Sequence, residues 1–256
     1  MQDSVYNSLF GALTQQYTID LITNNLANVS TPGYKKDKVA FEDVLTHYAH
    51  DFLDPNKGIT GGVRWPEKDL LTQPRIGEVV IDFSQGQLIQ TGNPLSLAIE
   101  GPGFFKVQTP QGIMYTRDGN FKLDPNGFIV TNKGYQLLGQ NGPIQVPTSK
   151  NIEITSDGIV YVNNNQIDII PVVNVIDPQK LQKIGGNLYK PIQQVQEIPA
   201  QKAKIYQGYI ESSNVEVTTE MVRMLEALRI LEGLQKTMTS TNDEDINLIN
   251  KMGTTE

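Results

Sequence analysis

The chain has 256 residues, a net charge of −7, 38% apolar and 19% charged side chains, and no cysteine. This length allows one large domain or two smaller ones with a buried core. An acidic chain without a long Lys/Arg cluster argues against nucleic acid as a partner, because phosphate binding requires a basic surface. Without cysteine there can be no disulfide, thiolate metal site or cysteine nucleophile. No apolar run reaches the ~20 residues that span a bilayer, so we expect no membrane insertion.

The N-terminal region has the pattern of a helix over residues 5–27, which contain no proline and a single glycine. At about 100° per residue, small and polar side chains fall on one narrow stripe, and apolar side chains spread over a wide arc opposite. The stripe comprises Asn7, Gly11, Thr14, Thr18 and Asn25; the arc comprises Val5, Leu9, Ala12, Leu13, Ile19 and Leu26. We predict that the stripe is the solvent-facing side and that neighbours enclose the arc. The proline and glycine of residues 30–33 should end the helix.

The C-terminal region has a second helical pattern over residues 219–250. Thr218 or Thr219 can cap this helix, and Glu220 lies in its first turn, where the helix dipole favours negative charge. Met224, Ala227, Leu228, Leu231, Leu234 and Met238 line one face, and charged or polar side chains line the other. Two long amphipathic helices at the ends of a chain can lie side by side and still leave apolar surface in water. The pattern therefore favours self-assembly through both ends.

Between the helices, short apolar and β-branched runs alternate with turns rich in Gly, Pro, Asn and Asp, at a spacing of about ten residues. The predicted strands are residues 79–83, 96–99, 104–107, 128–130, 152–154, 159–162 and 167–175. The predicted fold class is α+β, with the terminal helices paired in a coiled-coil-like layer and a central antiparallel β domain. The predicted division is a helical assembly domain at 1–34 and 213–256, extended connectors at 35–85 and 196–212, and a β-rich outer domain at 86–195.

Residue groups that resemble catalytic or metal sites have simpler explanations. His47 and His50, near Asp51 and Asp54, could bind a metal, but their spacing within an irregular connector favours a solvated or interface role. Residues 101–103 (GPG) lack the third glycine of a dinucleotide fingerprint, and residues 124–127 (DPNG) lack the later ligands of a calcium loop, so both are predicted turns. The carboxylate pairs Glu42–Asp43 and Glu216–Glu220 are predicted to be surface or capping groups. We expect no enzyme activity, no cofactor and no metal.

Four blocks of sequence resemble the rod and hook proteins of the bacterial flagellum. They are residues 24–35 (NNLANVSTPGYK), 90–105 (QTGNPLSLAIEGPGFF), 115–121 (YTRDGNF) with 127–139, and 211–216 (ESSNVE) with 220–222 (EMV). They occur in the order found in that family, and the chain is shorter than the family's hook protein. Residues 139–144 and 172–178 look more like the proximal-rod (FlgF) type than the distal-rod (FlgG) type, which is the second choice.

The resemblance implies a structural subunit of the basal-body rod in the periplasmic space, delivered by the flagellar export apparatus without a cleaved Sec signal. Its partners would be copies of itself and neighbouring rod proteins, and its terminal helices would polymerise into a helical tube that transmits torque around the export channel. The predicted assembly interface comprises Leu9, Leu13, Ile19, Asn24, Asn25, Leu26, Asn28, Met224, Leu228, Leu231, Leu234 and Met238. The three asparagines either cap the first helix or fix the register of helix packing. The alternative is a secreted β domain that binds or cleaves polysaccharide and uses the helices to dimerise.

Overall fold

The computed structural model describes residues 2–39, 79–147, 152–192, 195–200 and 202–253, with side chains described from residue 8 to residue 243 and at residue 246. Most of the predicted connector at 35–85 lies outside these residues, as do His47, His50, Asp51, Asp54 and the Glu42–Asp43 pair. The chain divides into two compact units. The helical unit comprises residues 1–24, 37–80 and 218–256, and the β unit comprises residues 25–36 and 81–217.

Helix α1 spans Gln2–Ala27 and helix α2 spans Val217–Gly253, with a 3₁₀ turn at Pro178–Lys180. The strands are β1 Asp37–Val39, β2 Val79–Ile81, β3 Leu88–Gln90, β4 Leu97–Glu100, β5 Phe105–Thr109, β6 Gly112–Thr116, β7 Phe121–Leu123, β8 Ile129–Thr131, β9 Gln136–Leu137, β10 Ile152–Ile154, β11 Ile159–Val162, β12 Asn165–Ile169, β13 Val173–Val175, β14 Leu181–Gly185, β15 Leu188–Pro191, β16 Glu197–Pro199, β17 Lys204–Gln207 and β18 Tyr209–Glu211. The predicted α+β class, with a helix at each end and antiparallel strands between, is confirmed.

The described residues of the small and polar stripe on α1 are buried (Thr14 and Asn25) or half-buried (Gly11 and Thr18), so the prediction that the stripe faces solvent is wrong. Thr14 and Asn25 are only 5% and 2% exposed, whereas Leu9, Phe10, Leu13 and Tyr17 are exposed. The Thr14 hydroxyl donates to the carbonyl of Phe10 at 2.9 Å, one turn earlier in the helix. A threonine bonded in this way brings no unpaired donor to a helix contact, so it packs like a small apolar residue.

The small stripe lets the two helices approach each other within the helical unit. A Cβ placed on Gly11 would lie 3.2 Å from Cδ1 of Leu234 on α2. From Glu220 onwards, the described buried or half-buried positions of α2 recur in alternating steps of four and three residues; they are Glu220, Met224, Ala227, Leu231, Leu234, Met238 and Thr241. A spacing of about 3.5 residues is typical of a helix that packs along one stripe.

A seven-stranded sheet organises the β unit, in the order β14-β15-β6-β5-β9-β8-β7, beside a three-stranded sheet in the order β10-β11-β12. One apolar core lies between these strands and includes Leu97, Ile99, Phe105, Val107 and Val160. A second core is aromatic and contains Phe104, Tyr115 and Tyr189. The strand predicted at 167–175 is two strands, β12 and β13, because the intervening Pro171 cannot donate to a ladder.

Residues 196–212, predicted to be an extended connector, contain β16, β17 and β18. Strand β16 pairs with β13, β17 with β4, and β18 with β3, all antiparallel. The predicted turn at residues 101–103 joins β4 to β5, with Gly101 and Gly103 at φ of 96° and 143°. The predicted turn at 124–127 is held by Asp124, whose carboxylate accepts the amides of Asn126 and Phe128 at 2.9 and 2.7 Å.

Replacing Gly11 and Gly233, the two glycines inside the helices, by alanine should give unequal gains in stability. Alanine is favoured over glycine inside a helix by about 0.5–1 kcal/mol. At Gly233 a Cβ would meet no atom within 4 Å, so Gly233→Ala should realise that gain. At Gly11 the Cβ would press on Leu234, so Gly11→Ala should gain less. Thermal unfolding followed by far-UV circular dichroism measures both; a larger gain at Gly11 would contradict the close helix contact.

Candidate functional site: a buried ion cluster that joins three sequence motifs

The segment after α1 is fixed to the β unit by its backbone. Gly33 has φ +69°, and a Cβ on it would collide with the backbone of Asp118, so only glycine fits. The Gly33 amide donates to the carbonyl oxygen of Glu211 at 2.8 Å. The Tyr34 hydroxyl donates to Oδ1 of Asn25 at 3.1 Å, and Nζ of Lys183 lies 4.3 Å from the centre of the Tyr34 ring. This turn therefore delivers the next residue, Lys35, into the interior.

Three charged side chains meet in that interior. Nζ of Lys35 lies 2.6 Å from Oε1 of Glu211, and Nη1 of Arg117 lies 3.2 Å from Oε2 of the same carboxylate. The exposed fractions of the three side chains are 0% for Lys35, 1% for Glu211 and 5% for Arg117. Three charges removed from water carry a desolvation cost of several kcal/mol each, so each needs close partners. We call Lys35, Arg117 and Glu211 the ion cluster.

Backbone groups complete the coordination of the ion cluster. Oε1 of Glu211 also accepts the amide of Gly86 at 2.8 Å, and Lys35 also donates to the carbonyl of Ser84 at 2.7 Å. Arg117 donates to the carbonyl of Ile99 at 3.3 Å and to that of Gly101 at 2.6 Å. The cluster therefore ties the residues after α1, the loop before β3 and the end of β4 to Glu211 at the end of β18.

The ion cluster holds two cations and one carboxylate. Burial lowers the pKa of Lys35 below its usual 10.5, and the attraction of Glu211 opposes that effect only in part. Burial also lowers the pKa of Arg117, again against the attraction of Glu211, although a guanidinium keeps its proton in proteins. Nε of Arg117 is buried and donates to no acceptor among the described residues. The cluster therefore depends on a single carboxylate for its charge balance.

Amide side chains brace the same junction. Asn214 accepts the amide of Lys36 at 2.8 Å and donates to the carbonyls of Asp82 at 2.8 Å and Ser84 at 3.1 Å. Asn187, at φ +57°, donates to the carbonyl of Pro32 at 2.7 Å. Both asparagines connect the segment after α1 to parts of the chain more than 150 residues away. Several short hydrogen bonds therefore hold the segment after α1 against the rest of the β unit.

A second polar group lies at the edge of the aromatic core. The Tyr115 hydroxyl donates to Oε1 of Glu197 at 2.6 Å, and Lys106 lies 3.0 Å from Oε2. Burial and this bond raise the pKa of Tyr115. Burial alone would raise the pKa of Glu197, but the hydrogen bonds from Tyr115 and Lys106 outweigh it and lower that pKa. This group fastens β16 to β5 and β6.

The predicted assembly residues divide into an outward and an inward set. Leu9, Leu13, Asn24 and Leu228 are exposed; Ile19, Leu26, Asn28, Met224, Leu231, Leu234 and Met238 are half-buried; Asn25 is buried. Of the predicted carboxylate pair, Glu216 is exposed, whereas Glu220 is buried and lies 3.3 Å from Arg223. In the part of the chain with described side chains, no group of three or more His, Asp or Glu residues could hold a metal ion.

The ion cluster is not among the predicted site residues, although its three members lie in the sequence blocks described above. Lys35 ends the first of the four blocks, Arg117 lies inside YTRDGNF, and Glu211 begins ESSNVE. Each is a charged residue inside one of these blocks, and the two cations and the carboxylate have complementary signs. Pairing them requires knowing that Glu211 and Lys35, which are 176 residues apart, become neighbours.

Three family profiles match the chain in the order of these blocks. "Flagella basal body rod protein" matches residues 6–35, "Flagellar hook protein FlgE/F/G D1 domain" matches 98–162, and "Flagellar basal body rod FlgEFG protein C-terminal" matches 206–250. Each member of the ion cluster therefore lies in a different matched region.

Curated relatives match along almost the whole chain. The flagellar basal-body rod protein FlgG of Buchnera aphidicola subsp. Schizaphis graminum is 36% identical over 98% of this chain and 100% of its own length. FlgG of Borreliella burgdorferi is 33% identical over 98% and 99%. FlgF of Caulobacter vibrioides is 32% identical over 99% of both chains. Both types appear among these relatives, so the preference for the proximal-rod type stays a prediction.

Among the described helices, none combines the length and apolar character needed to cross a bilayer.

Neutralising Glu211 should be far more damaging than removing Lys35. Glu211→Gln leaves the ion cluster with two buried cations and no carboxylate, and breaking a buried ion pair in this way costs about 3–5 kcal/mol. Lys35→Met leaves the balanced Arg117–Glu211 pair and replaces a buried cation by an apolar chain of similar length, so its cost should be smaller. Urea unfolding of the purified variants gives both free energies. Equal losses would show that the excess positive charge is unimportant.

The buried Lys35 should make stability depend on alkaline pH. Its pKa is lowered in the folded chain, so between that value and its usual 10.5 the unfolded chain binds more protons. Stability from this group therefore rises with pH across that window and is level below it. Glu211, Arg117 and Asp82 face the ammonium group of Lys35. All three are also present in the Lys35→Met variant, so a comparison of the two proteins isolates the effect of Lys35. The difference in unfolding free energy should shift in favour of the unsubstituted chain as pH approaches 10.5; a constant difference would contradict the burial of a titrating lysine.

Proposed function

Because this chain belongs to the flagellar basal-body rod proteins and is a structural subunit of the rod, we propose that it builds the rod by polymerising through its two terminal helices. The observation that carries this proposal is that both helices have a second apolar face left in water. On α1 this face comprises Leu9, Phe10, Leu13 and Tyr17. On α2 it comprises Met221, Val222, Leu225 and Leu228, all in the first part of the helix. Apolar area of this extent gains roughly 25 cal/mol per Å² when it is covered.

Within one subunit the two helices pair through their buried stripes as a coiled-coil-like layer. The approach of Gly11 to Leu234 and the spacing of about 3.5 residues along α2 support this pairing. Ile19, Leu26, Met224, Leu231, Leu234 and Met238 form the inward part of the interface. Leu9, Leu13 and Leu228 belong to the outward part, which meets other subunits. The predicted interface thus serves two contacts, one within the subunit and one between subunits.

Neighbouring subunits present different surfaces to each other, with the exposed face of α1 meeting the exposed face of α2. A head-to-tail contact of this kind produces a ring if it closes and a helical array if it does not. The array forms a tube that transmits torque through many small contacts and surrounds the export channel. The partners are copies of this chain and neighbouring rod proteins, and the flagellar export apparatus delivers the chain to the periplasmic space.

Asn24, Asn25 and Asn28 have different places in this scheme. Asn25 is buried and accepts a hydrogen bond from Tyr34, which supports a role in ending α1 and directing the turn after it. The Thr31 hydroxyl lies 3.4 Å from Oδ1 of Asn28, in the same turn. Asn24 is exposed on α1 and is the asparagine that can set register against another subunit.

Polar substitutions on the exposed leucines should prevent polymerisation without unfolding the subunit. Leu13→Ser and Leu225→Ser each remove an apolar side chain that is more than half exposed, so the isolated subunit loses little packing. Gln16→Ser and Glu226→Ser, at exposed polar positions of the same helices, are the matched controls. We expect circular dichroism of all four variants to match the unsubstituted chain, with polymer in sedimentation assays and motility in cells lost only for the leucine variants. Normal polymer from both leucine variants would exclude these faces as the subunit contact.

A further inference from the structure

Residues 204–214, which we call the closing segment, complete the β unit from the far end of its sequence. Strand β17 pairs with β4, with Ile205 opposite Ile99, and β18 pairs with β3, with Ile210 opposite Ile89. Among the described strands, these are the only ladder partners of β3 and β4. The Tyr206 hydroxyl donates to Glu100 across this ladder at 2.9 Å, over a separation of 106 residues.

The closing segment also supplies part of the main core. Ile205 is 3% exposed and belongs to the same apolar cluster as Leu97, Ile99 and Phe105. Its amide donates to the carbonyl of Ser156 at 2.9 Å, ahead of β11. The segment therefore packs into the main core and bonds to the loop before β11 of the three-stranded sheet.

One side chain of the closing segment, that of Gln207, is hydrogen-bonded to strand β10. Oε1 of Gln207 accepts the amide of Ile154 at 3.1 Å, and Nε2 donates to the carbonyls of Ile152 at 2.8 Å and Pro94 at 2.9 Å. These three bonds join β10 to the loop before β4. Without Gln207, the amide and carbonyl groups of this β10 edge would need other partners.

The closing segment brings the charge that the interior requires. Glu211 is the carboxylate that lies against both Lys35 and Arg117. If these two cations were packed before Glu211 arrived, they would be buried without a counter-charge, which costs several kcal/mol. Upstream parts of the β unit therefore cannot reach their final packing ahead of the segment.

We infer that the closing segment is an obligatory element of the β unit, and that the unit has no stable packing until the segment docks. Docking also fixes the residues after α1, because the amides of Gly33 and Lys36 donate to Glu211 and Asn214 of the closing segment at 2.8 Å each. The step that completes the β unit therefore also fixes the residues after α1 against those before α2. A chain that emerges N-terminus first, as on the ribosome, presents this segment after every other described strand of the unit. The inference rests on contacts inside the β unit and does not depend on polymerisation.

Native-state hydrogen exchange on the full chain tests this inference. We expect amides of β17 and β18 and amides of β5, β6 and β8 to exchange through one opening, with the same free energy and the same dependence on urea. If β5, β6 and β8 stay protected while β17 and β18 exchange through a smaller opening of lower free energy, the segment is an addition to a unit that is already stable, and the inference is overturned.

A mild core substitution provides a second readout. Ile205→Val removes one buried methylene, which should raise the opening constant by about 2- to 10-fold. We expect the same factor at β17 and at β5. Ile113→Val, the same change at an exposed position of β6, is the matched control and should leave both unchanged. A rise confined to β17 and β18 would overturn the inference.

Discussion

The carboxylate of Glu211 is the contact on which the arrangement of the β unit depends. It neutralises Lys35 and Arg117, which come from different regions of the chain, in a place closed to water. Because a buried charge is tolerated only with close partners, the backbone around each member must follow a fixed path. Gly33 meets the backbone of Asp118 and Gly86 meets that of Ser212, at positions where a side chain would collide. The ion cluster and these close backbone contacts together connect the residues after α1 with those before α2.

A connection of this kind suits the proposed assembly through the two ends of the chain. Helices α1 and α2 each pack one face inside the helical unit and expose apolar side chains on another. Contacts between subunits can bear load only if the segments leading into the helices are held firmly. Short hydrogen bonds from Asn214 and Asn187 hold those segments in the β unit. In the proposed rod, the polar junction would hold the segments that lead into the helices in place under load.

Helix α1 shows what an amphipathic sequence pattern can predict and what it cannot. A hydrophobic pattern identifies a helix and its two faces, and in a monomer the polar face meets water. In this chain Thr14 on the small polar face is buried, whereas the apolar side chains of Leu9 and Leu13 are exposed. The reason is local: Thr14 and Thr18 bond their hydroxyls to carbonyls of the previous turn, so they enter a helix contact without an unpaired donor. Gly11 permits an approach that a larger residue would hinder.

The sequence by itself determined the α+β class, both terminal helices to within a few residues, the turns at 101–103 and 124–127, and the family. Those features depend on local propensity, on periodicity and on short motifs, all of which are present within a few neighbouring residues. Only the tertiary structure decided which face of α1 packs inward, that β17 and β18 pair with β4 and β3, and that Lys35, Arg117 and Glu211 share one interior. These features join residues about 100 to 180 positions apart, and no local pattern specifies which distant partner a strand or a charge will meet.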